Sequence, residues 1–400
     1  MVCVSKKPAR GGRLFNSVFS GLGNKAVVSG RRIQTADVGG DGDRPAPDRP
    51  GKRTLRGRNT RAAGPPCASL GPTKPAAALA AAALGGWHWR LDYFANFPVQ
   101  YLGLGVPVLV LLLVLRSWRM AGLFCGVLLW NVFLILPLLT GGPEPSAGDP
   151  AATLRVVQKN VWFGNENYGD TIAWMREQNA DVIVVQEMNE AWRAELLSGL
   201  TLGGGFVAYE PKRPEFERHT VGVFVREGLE VASHRYWGAG EPRKPMVEVA
   251  LNVPGFDLPV TLQGVHTRAP VRASWSWLRG KQLAELTGWA AGRNPLEDGP
   301  TLVVGDLNAT RWSAPMRALM RHGGLRDTAE AGGPAALLGT WPDILNGPWP
   351  DSFSFAWTGM ITLDHVLASG HFVVAQRTVG PGLGSDHRGV VVDLRRRKSP

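Results

Sequence analysis

Six clusters of polar residues lie at the ends of hydrophobic, β-branched segments after residue 150. Side chains at the ends of strands converge on one mouth in α/β and sandwich folds. We therefore interpret each cluster as the end of a strand and expect all six to meet at one site. The clusters are Asn160, Gln186-Glu187, His266, Asp306 with Asn308, Asp364-His365 and Asp386-His387.

The residue types in these clusters are those of hard-cation chemistry. Carboxylate and amide oxygens suit Mg²⁺ or Mn²⁺, whereas zinc sites more often contain Cys or closely spaced His. The three cysteines, Cys3, Cys67 and Cys125, all precede residue 126, so the rest of the chain has no thiolate for a metal site. The carboxylates of Glu187 and Asp386 are suited to holding the metal.

The other clusters suit the hydrolysis of a phosphodiester, whose negative charge repels a nucleophile. This reaction needs charge neutralisation, an activated water and in-line geometry. Asp306 and His387 are candidates to orient or deprotonate the water, and Asn308 and His266 can donate hydrogen bonds to phosphoryl oxygens. Each fragment alone also fits an ordinary turn, a capped loop or a structural histidine. The interpretation therefore rests on their number and order.

The ordered motifs resemble those of the endonuclease/exonuclease/phosphatase superfamily. That superfamily includes DNase I-like nucleases, apurinic endonucleases, neutral sphingomyelinases and inositol-polyphosphate phosphatases. The resemblance covers about residues 153–395 and implies a two-sheet α/β sandwich with the site at one edge. It is carried by Asn160, Gln186-Glu187, His266, Gly305-Asp306-Leu307-Asn308, Asp364-His365 and Ser385-Asp386-His387.

The resemblance also implies which residues bind the metal and activate the water. Asn160 and Glu187 would bind a divalent cation, Mg²⁺ or Mn²⁺, with help from Asp386. Asp306 would activate the attacking water or assist the leaving group.

The remaining implied roles concern the phosphate and the orientation of His387. Asn308 would hold the scissile phosphate and His266 would contact it. Asp364 would orient His387, which would act as general base or phosphate ligand. His365 is expected to lie beside the site without acting in it.

Alternating apolar and polar segments predict an α/β domain over residues 153–400. We expect helices at Asp170–Asn179, Val271–Ala291 and Ser313–Arg321. We expect strands at 154–163, 181–187, 221–225, 246–253, 258–266, 301–308, 361–368 and 389–394.

The positive charge of the chain is concentrated at its N-terminus. Residues 1–74 carry 15 Lys and Arg residues against four Asp, whereas residues 141–400 carry 26 basic and 28 acidic residues. Residues 1–73 are rich in Gly, Arg and Pro, a composition that predicts a disordered basic tail. The near-neutral balance of the remainder argues mildly against a domain that grips polyanions tightly.

Residues 74–140 are predicted to anchor the chain in a membrane. The segments 97–115 and 121–140 contain no charged residue and have about the length needed to span a hydrocarbon core. A third span is expected at about 72–90, and residues 141–152 form a Gly/Pro linker. These spans resemble the membrane-anchored bacterial branch of the superfamily.

The basic residues predict the orientation of the anchor. The tail and the link that carries Arg116 and Arg119 should both stay in the cytoplasm. Both conditions hold only with three spans, which places the catalytic domain on the extracytoplasmic side. With two spans the domain would share the side of the tail.

Together these features predict a membrane-anchored, metal-dependent phosphoester hydrolase. Its substrate would be a nucleic acid, a lipid headgroup or a soluble phosphoester, and membrane tethering mildly favours lipid. One alternative is a nuclease specifically, either extracytoplasmic or intracellular. Another is a catalytically inactive membrane scaffold of the same fold.

Overall fold

A computed structural model of the chain describes residues 89–211, 220–238, 244–294, 296–343 and 361–398. The predicted tail 1–73 and almost all of the predicted span at about 72–90 lie outside these residues. The α-helices are α1 Trp89–Phe94, α2 Pro98–Val114, α3 Trp118–Thr140, α4 Tyr168–Glu177, α5 Glu190–Leu196, α6 Ala273–Ala291 and α7 Ala314–His322.

The strands form two sheets of six. The first has the order β11-β12-β1-β2-β4-β3 and the second the order β5-β6-β7-β8-β10-β9. The strands are β1 Gly148–Asn160, β2 Val182–Met188, β3 Phe206–Tyr209, β4 Thr220–Arg226, β5 Glu230–Trp237, β6 Met246–Asn252, β7 Val260–His266, β8 Thr301–Asp306, β9 Leu325–Asp327, β10 Asp364–Ser369, β11 Phe372–Val379 and β12 Val390–Arg397.

One strand pair in each sheet is parallel, and both pairs end at the site. The pair β1–β2 aligns Asn160 with Gln186, and the pair β7–β8 aligns His266 with Asp306. The remaining pairs in the two sheets are antiparallel. Parallel strands end at the same edge, so the last residues of these four strands are brought together.

The sheets pack face to face over a core of small β-branched and aliphatic side chains. Val156, Val184 and Val223 from the first sheet meet Leu262 and Val304 from the second, and all are buried. Such residues fill a pleated, half-buried surface well. Helices α4 and α5 cover the outer face of the first sheet, and α6 and α7 cover that of the second. The fold is therefore the predicted two-sheet α/β sandwich.

All eight predicted strands and three predicted helices are present, with different ends at several places. Strand β1 begins at Gly148, inside the predicted linker 141–152. Strands β3, β5, β9 and β11 and helix α5 were missed. Of these, β5 is mostly exposed and β9 has three residues, so neither shows a clear apolar alternation.

Two polar clusters precede their strands, contrary to the expectation that each ends one. Asp364 is the first residue of β10, and Asp386-His387 precede β12. Because β10 runs antiparallel to β8, its beginning lies beside the end of β8, with Asp364 opposite Asp306. These two clusters thus lie at the expected edge, although they stand at the beginning of their strands and not at the end.

Helices α2 and α3, which cover the two predicted spans, pack against each other as a hairpin. Gly105 allows close packing, because a Cβ at this position would overlap the side chain of Leu128. By length and composition α3 is apolar enough to cross a membrane, while α2, with 17 residues, is shorter. One end of α3 packs on the sandwich, where Ile135 and Leu138 contact Trp312.

Gly305 provides a test of the parallel pairing beside the site. Its φ is 150°, and a Cβ there would overlap the carbonyl oxygen of Val265 in β7. We expect Gly305→Ala to lower the free energy of unfolding by about 2–3 kcal/mol, since overpacking and backbone strain combine. Denaturant unfolding measures this. Gly280→Ala is the control, because its Cβ in α6 meets open space; equal effects of the two changes would contradict the account.

Candidate active site

The carboxylate of Asp306 lies at the centre of the site. Asp306 ends β8 and is 1% exposed. Its Oδ1 accepts the backbone N–H of Asn308 at 2.9 Å. Its Oδ2 accepts from Asn160 Nδ2 at 3.1 Å and from Asn308 Nδ2 at 3.3 Å. Since Asn160 ends β1, the first of these side-chain bonds joins the two sheets.

Glu187 and His266 complete one acidic cluster with Asp306. His266 Nε2 lies 3.6 Å from Glu187 Oε1 and 3.7 Å from Asp306 Oδ2. Asn160 Nδ2 also donates to Glu187 Oε1, at 3.2 Å. The ligand atoms of Glu187, His266 and Asp306 all lie within 4.8 Å of one another. The structure therefore brings together the strand ends of β1, β2, β7 and β8 as predicted.

His387 and Asp364 form a second group on the other side of Asp306. Their Nδ1–Oδ2 distance is 2.8 Å, and His387 Nε2 lies 3.8 Å from Asp306 Oδ2. Asp364 is held in turn by Gln158, whose Nε2 donates to Oδ1 at 2.7 Å. This geometry agrees with the implied role of Asp364 in orienting His387.

Burial and mutual charge shift the protonation of this group. Burial raises the pKa of Asp306 to about 7, with repulsion from Asp364 and Glu187 adding to the shift and His387 opposing it. Burial opposes the charged form of His387, but Asp364 and Asp306 outweigh it and raise its pKa to about 10. Burial likewise opposes the ionised form of Asp364, yet His387 holds its pKa below the usual range. At neutral pH His387 is therefore an imidazolium.

Asp386 lies outside both clusters. Trp341 Nε1 donates to its Oδ2 at 3.1 Å, and its buried Oδ1 accepts no hydrogen bond from the residues that the structure describes. His365 is buried on the opposite face of β10, with Nδ1 3.1 Å from Asp327 and Nε2 3.0 Å from the carbonyl oxygen of Ala309. It is next to the site and does not face it, as expected.

The residues at this edge fit a divalent cation. The amide nitrogen of Asn160 donates to the carboxylates of Glu187 and Asp306, while its Oδ1 accepts the backbone N–H of Trp162 at 2.9 Å. The carboxylate oxygens of Glu187 and Asp306 are ligands of the kind that hard cations prefer.

Three site residues adopt left-handed backbone conformations. The φ angles are 54° at Trp162, 61° at Glu187 and 46° at Asn308. Such conformations cost about 1–3 kcal/mol each for non-glycine residues and persist where the surroundings hold them. Trp162 and Asn308 follow β1 and β8 by two residues, and Glu187 is the last but one residue of β2, so the backbone turns at each of these strand ends.

Two buried lysines contribute to the site and were missed as functional residues. Lys244 Nζ lies 3.2 Å from both ring nitrogens of His266 and donates to the carbonyl oxygen of Thr267 at 3.3 Å. Lys159 Nζ donates to the carbonyl oxygens of Gly382 and His387, both at 2.7 Å. Lys159 directly precedes Asn160 in β1, so its side chain lies on the opposite face of the strand. This adjacency to Asn160 is the only feature of the sequence that could have indicated a role for Lys159.

Lys159 supports the segment that carries His387. Burial lowers its pKa to about 7, although Asp364 and neighbouring carboxylates oppose this shift. We expect Lys159→Met to destabilise the protein by about 2 kcal/mol, since buried carbonyls lose their donors while removal of a buried charge offsets part of the cost. The exposed Lys281→Met, in α6, is the control and should change the unfolding free energy by less than about 0.5 kcal/mol. A stable Lys159→Met protein would contradict this account.

Comparison with known proteins agrees with this geometry. The endonuclease/exonuclease/phosphatase family matches residues 157–387, more than half of the chain. No curated protein sequence matches the chain. Its fold is similar to that of D. rerio TDP2 complexed with a single-strand DNA product, at 14% identity and TM-score 0.50, covering 61% of this chain and 99% of that one.

Two further solved structures show the same likeness. TDP2 from C. elegans is 16% identical with TM-score 0.50, covering 61% of this chain and 75% of that one. An endonuclease/exonuclease/phosphatase from Bacteroides vulgatus is 14% identical with TM-score 0.49, covering 61% and 99%. At these identities the two TDP2 structures show the fold alone. Because the family match spans most of the sandwich and includes all the site motifs, the chain belongs to the endonuclease/exonuclease/phosphatase family.

Proposed function

We propose that this protein is a membrane-anchored, divalent-metal-dependent phosphodiesterase that hydrolyses its substrate by in-line attack of water. The observation that carries the proposal is the position of Asp306. It lies between the cluster that fits a cation and the His387–Asp364 pair. A water acceptor, a cation site and a cationic phosphate ligand are therefore within reach of one phosphate group.

Asp306 is suited to accept the proton of the attacking water. A general base works best when its pKa lies near the operating pH, and burial brings that of Asp306 to about 7. A cation held by Asn160 and Glu187, with Asp386, would polarise the phosphate and lower the pKa of bound water. The chain's own residues orient that water and take up its proton.

The phosphate would be held by donors from three sides. His387, as an imidazolium, can donate from Nε2 to a phosphoryl oxygen while Nδ1 donates to Asp364. Of the two roles implied for His387, its raised pKa favours phosphate ligand over general base. Lys244, with Nζ 3.2 Å from both ring nitrogens of His266, offers a second positive charge beside the site. The amide of Asn308 provides the third donor, and these groups complement charge that develops in the transition state.

A nuclease is the second candidate function. Phe163 is 44% exposed and Trp162 lies next to it, two residues after Asn160. Aromatic side chains near a phosphate site can stack nucleobases. The near-neutral charge of residues 141–400 supports a small diester or lipid headgroup over a long polyanion. An inactive scaffold is disfavoured, because none of the implied catalytic residues is missing.

The site assignment predicts the effect of Glu187→Gln. We expect the full-length protein in detergent to hydrolyse a phosphodiester with Mg²⁺ or Mn²⁺ and not with EDTA. Glu187→Gln should lower kcat by about 10³-fold, since a metal ligand and its charge are lost. Glu190→Gln, three residues on and exposed, is the control. Plasmid DNA, sphingomyelin and bis(4-nitrophenyl) phosphate tested in parallel separate nuclease from lipid phosphodiesterase. Full activity of Glu187→Gln would refute the assignment.

The apolar surface of the hairpin supports membrane anchoring. Many large side chains of α2 and α3 point outward, including Leu104, Val114, Leu129 and Phe133, each more than half exposed. Continuous apolar surface of this extent marks a partner or a membrane. Placement of the catalytic domain on the extracytoplasmic side follows from the charge argument for three spans.

Cell fractionation tests the anchor. We expect the wild-type protein to stay in the membrane fraction after alkaline carbonate and to need detergent for release. Leu129→Arg should release it, because a charged residue within a span costs about 3 kcal/mol. Leu202→Arg is the control, as Leu202 is 88% exposed on the catalytic domain. Release of the wild type by carbonate would contradict anchoring, and protease protection of the C-terminus in spheroplasts would contradict the sidedness.

A further inference from the structure

Helix α1, which lies before the family-matched segment, is tied to the catalytic domain by a buried ion pair. Asp92 Oδ2 accepts from Arg279 NH2 of α6 at 3.0 Å, and both side chains are 4% exposed. Asp92 Oδ1 accepts the backbone N–H of Ala314 at 2.8 Å, at the first residue of α7. A carboxylate is favourable at a helix N-terminus. The side chain of Asp92 therefore bonds to both α6 and α7, the two helices that cover the outer face of the second sheet.

The same arginine reaches the active site. Arg279 NH1 donates to the carbonyl oxygen of Asn308 at 2.7 Å. Asn308 is left-handed, and its own N–H and amide are bonded to Asp306. The guanidinium thus joins Asp92 on one side and Asn308 on the other through two nitrogens of its planar fork, a geometry that lysine cannot reproduce.

The rest of the loop between β8 and α7 is held by the same N-terminal region. Asn96 Oδ1 accepts from the backbone N–H of Thr310 at 3.0 Å and from its hydroxyl at 2.8 Å. Trp312 Nε1 donates to the carbonyl oxygen of Leu134 in α3 at 3.0 Å. The loop that carries Asn308 is therefore supported from residues 92–134, along most of its length.

We propose that Asp92, acting through Arg279, positions Asn308 for catalysis, so that hydrolysis depends on docking of the N-terminal helices. This inference rests on the proposed function. Arg279 and Asp92 are positioning residues, since they contact the backbone of Asn308 and no reacting atom. The cation ligands Asn160 and Glu187 receive no contact from them. Loss of the link should therefore lower turnover without lowering cation affinity.

The test uses the full chain in detergent with Mn²⁺ and bis(4-nitrophenyl) phosphate. Asp92→Asn should lower kcat about 10-fold and Arg279→Met about 10- to 100-fold, as misplacement by about 1 Å costs up to 10²-fold. KM should rise as well, because Asn308 is assigned to hold the phosphate of the bound substrate. The Mn²⁺ dissociation constant, measured by calorimetry, should stay within about twofold of the wild type, since no ligand is changed.

A double variant and a matched control separate positioning from loss of stability. Asp92→Asn with Arg279→Met should be no slower than Arg279→Met alone, because both changes break one link.

Arg293→Met removes an arginine just after the other end of α6, where it bonds Thr301 and Thr261. It should lower Tm and leave kcat unchanged. Arg279→Lys keeps a cation beside Asp92 and should fall between wild type and Arg279→Met, which covers the case in which the methionine variant does not fold.

Three results would overturn the proposal. They are unchanged kcat in Asp92→Asn and Arg279→Met, a kcat loss in Arg293→Met equal to that in Arg279→Met, and multiplicative losses in the double variant. A wild-type protein without hydrolase activity would instead refute the proposed function. The contact from Asp92 through Arg279 to Asn308 would then be tested by measuring the binding of inorganic phosphate to the Mn²⁺-loaded protein. Arg279→Met should weaken that binding and Arg293→Met should not, and equal binding would again overturn the link.

Discussion

The buried carboxylate of Asp306 sets the requirement that the surrounding site satisfies. A carboxylate removed from water is stable only when hydrogen-bond donors or positive charge surround it. Here the donors come from both sheets, through Asn160 of β1 and Asn308 after β8, with His387 as the nearby cation. The strand register that supplies them also forms the catalytic edge. Stability and chemistry therefore depend on the same contacts.

The N-terminal helices extend this dependence beyond the sandwich. The loop after β8 has no regular structure of its own until α7 begins, so its backbone groups need partners elsewhere. Asn96, two residues after α1, accepts the backbone N–H of Thr310, and Asp92 of α1 accepts that of Ala314. The side chain of Trp312 donates to the carbonyl oxygen of Leu134 in α3. This interface combines these polar bonds with apolar contacts of Ile135 and Leu138, whereas the contacts within the hairpin are apolar. A polar, geometrically defined interface specifies one docking arrangement more strictly than an apolar one.

The sequence reveals the site residues that sit at strand ends, because a carboxylate or amide after an apolar run stands out against its neighbours. Its apolar segments predict eight strands, and the resemblance of the ordered motifs to the superfamily implies the sandwich. Arg279 is different: on a helix with Trp and Gln around it, an arginine has the pattern of a solvated face. Lys244 lies in a Pro-rich loop without periodicity. Their roles depend on contacts between distant segments, such as α1 with α6, which local pattern cannot specify.

Charge is the property for which composition and structure differ most. Residues 141–400 are nearly neutral in total, yet Lys159, Lys244 and His387 are all buried within or beside the site. Buried cations act over short distances at low effective dielectric and are little screened by salt. In the proposed phosphodiesterase, Lys244 and His387 would favour one phosphate group in a defined position over a long polyanion lying across the surface, whereas Lys159 bonds the carbonyl oxygens of Gly382 and His387. The total charge therefore describes the surface, and the arrangement of a few buried groups determines what the site can bind.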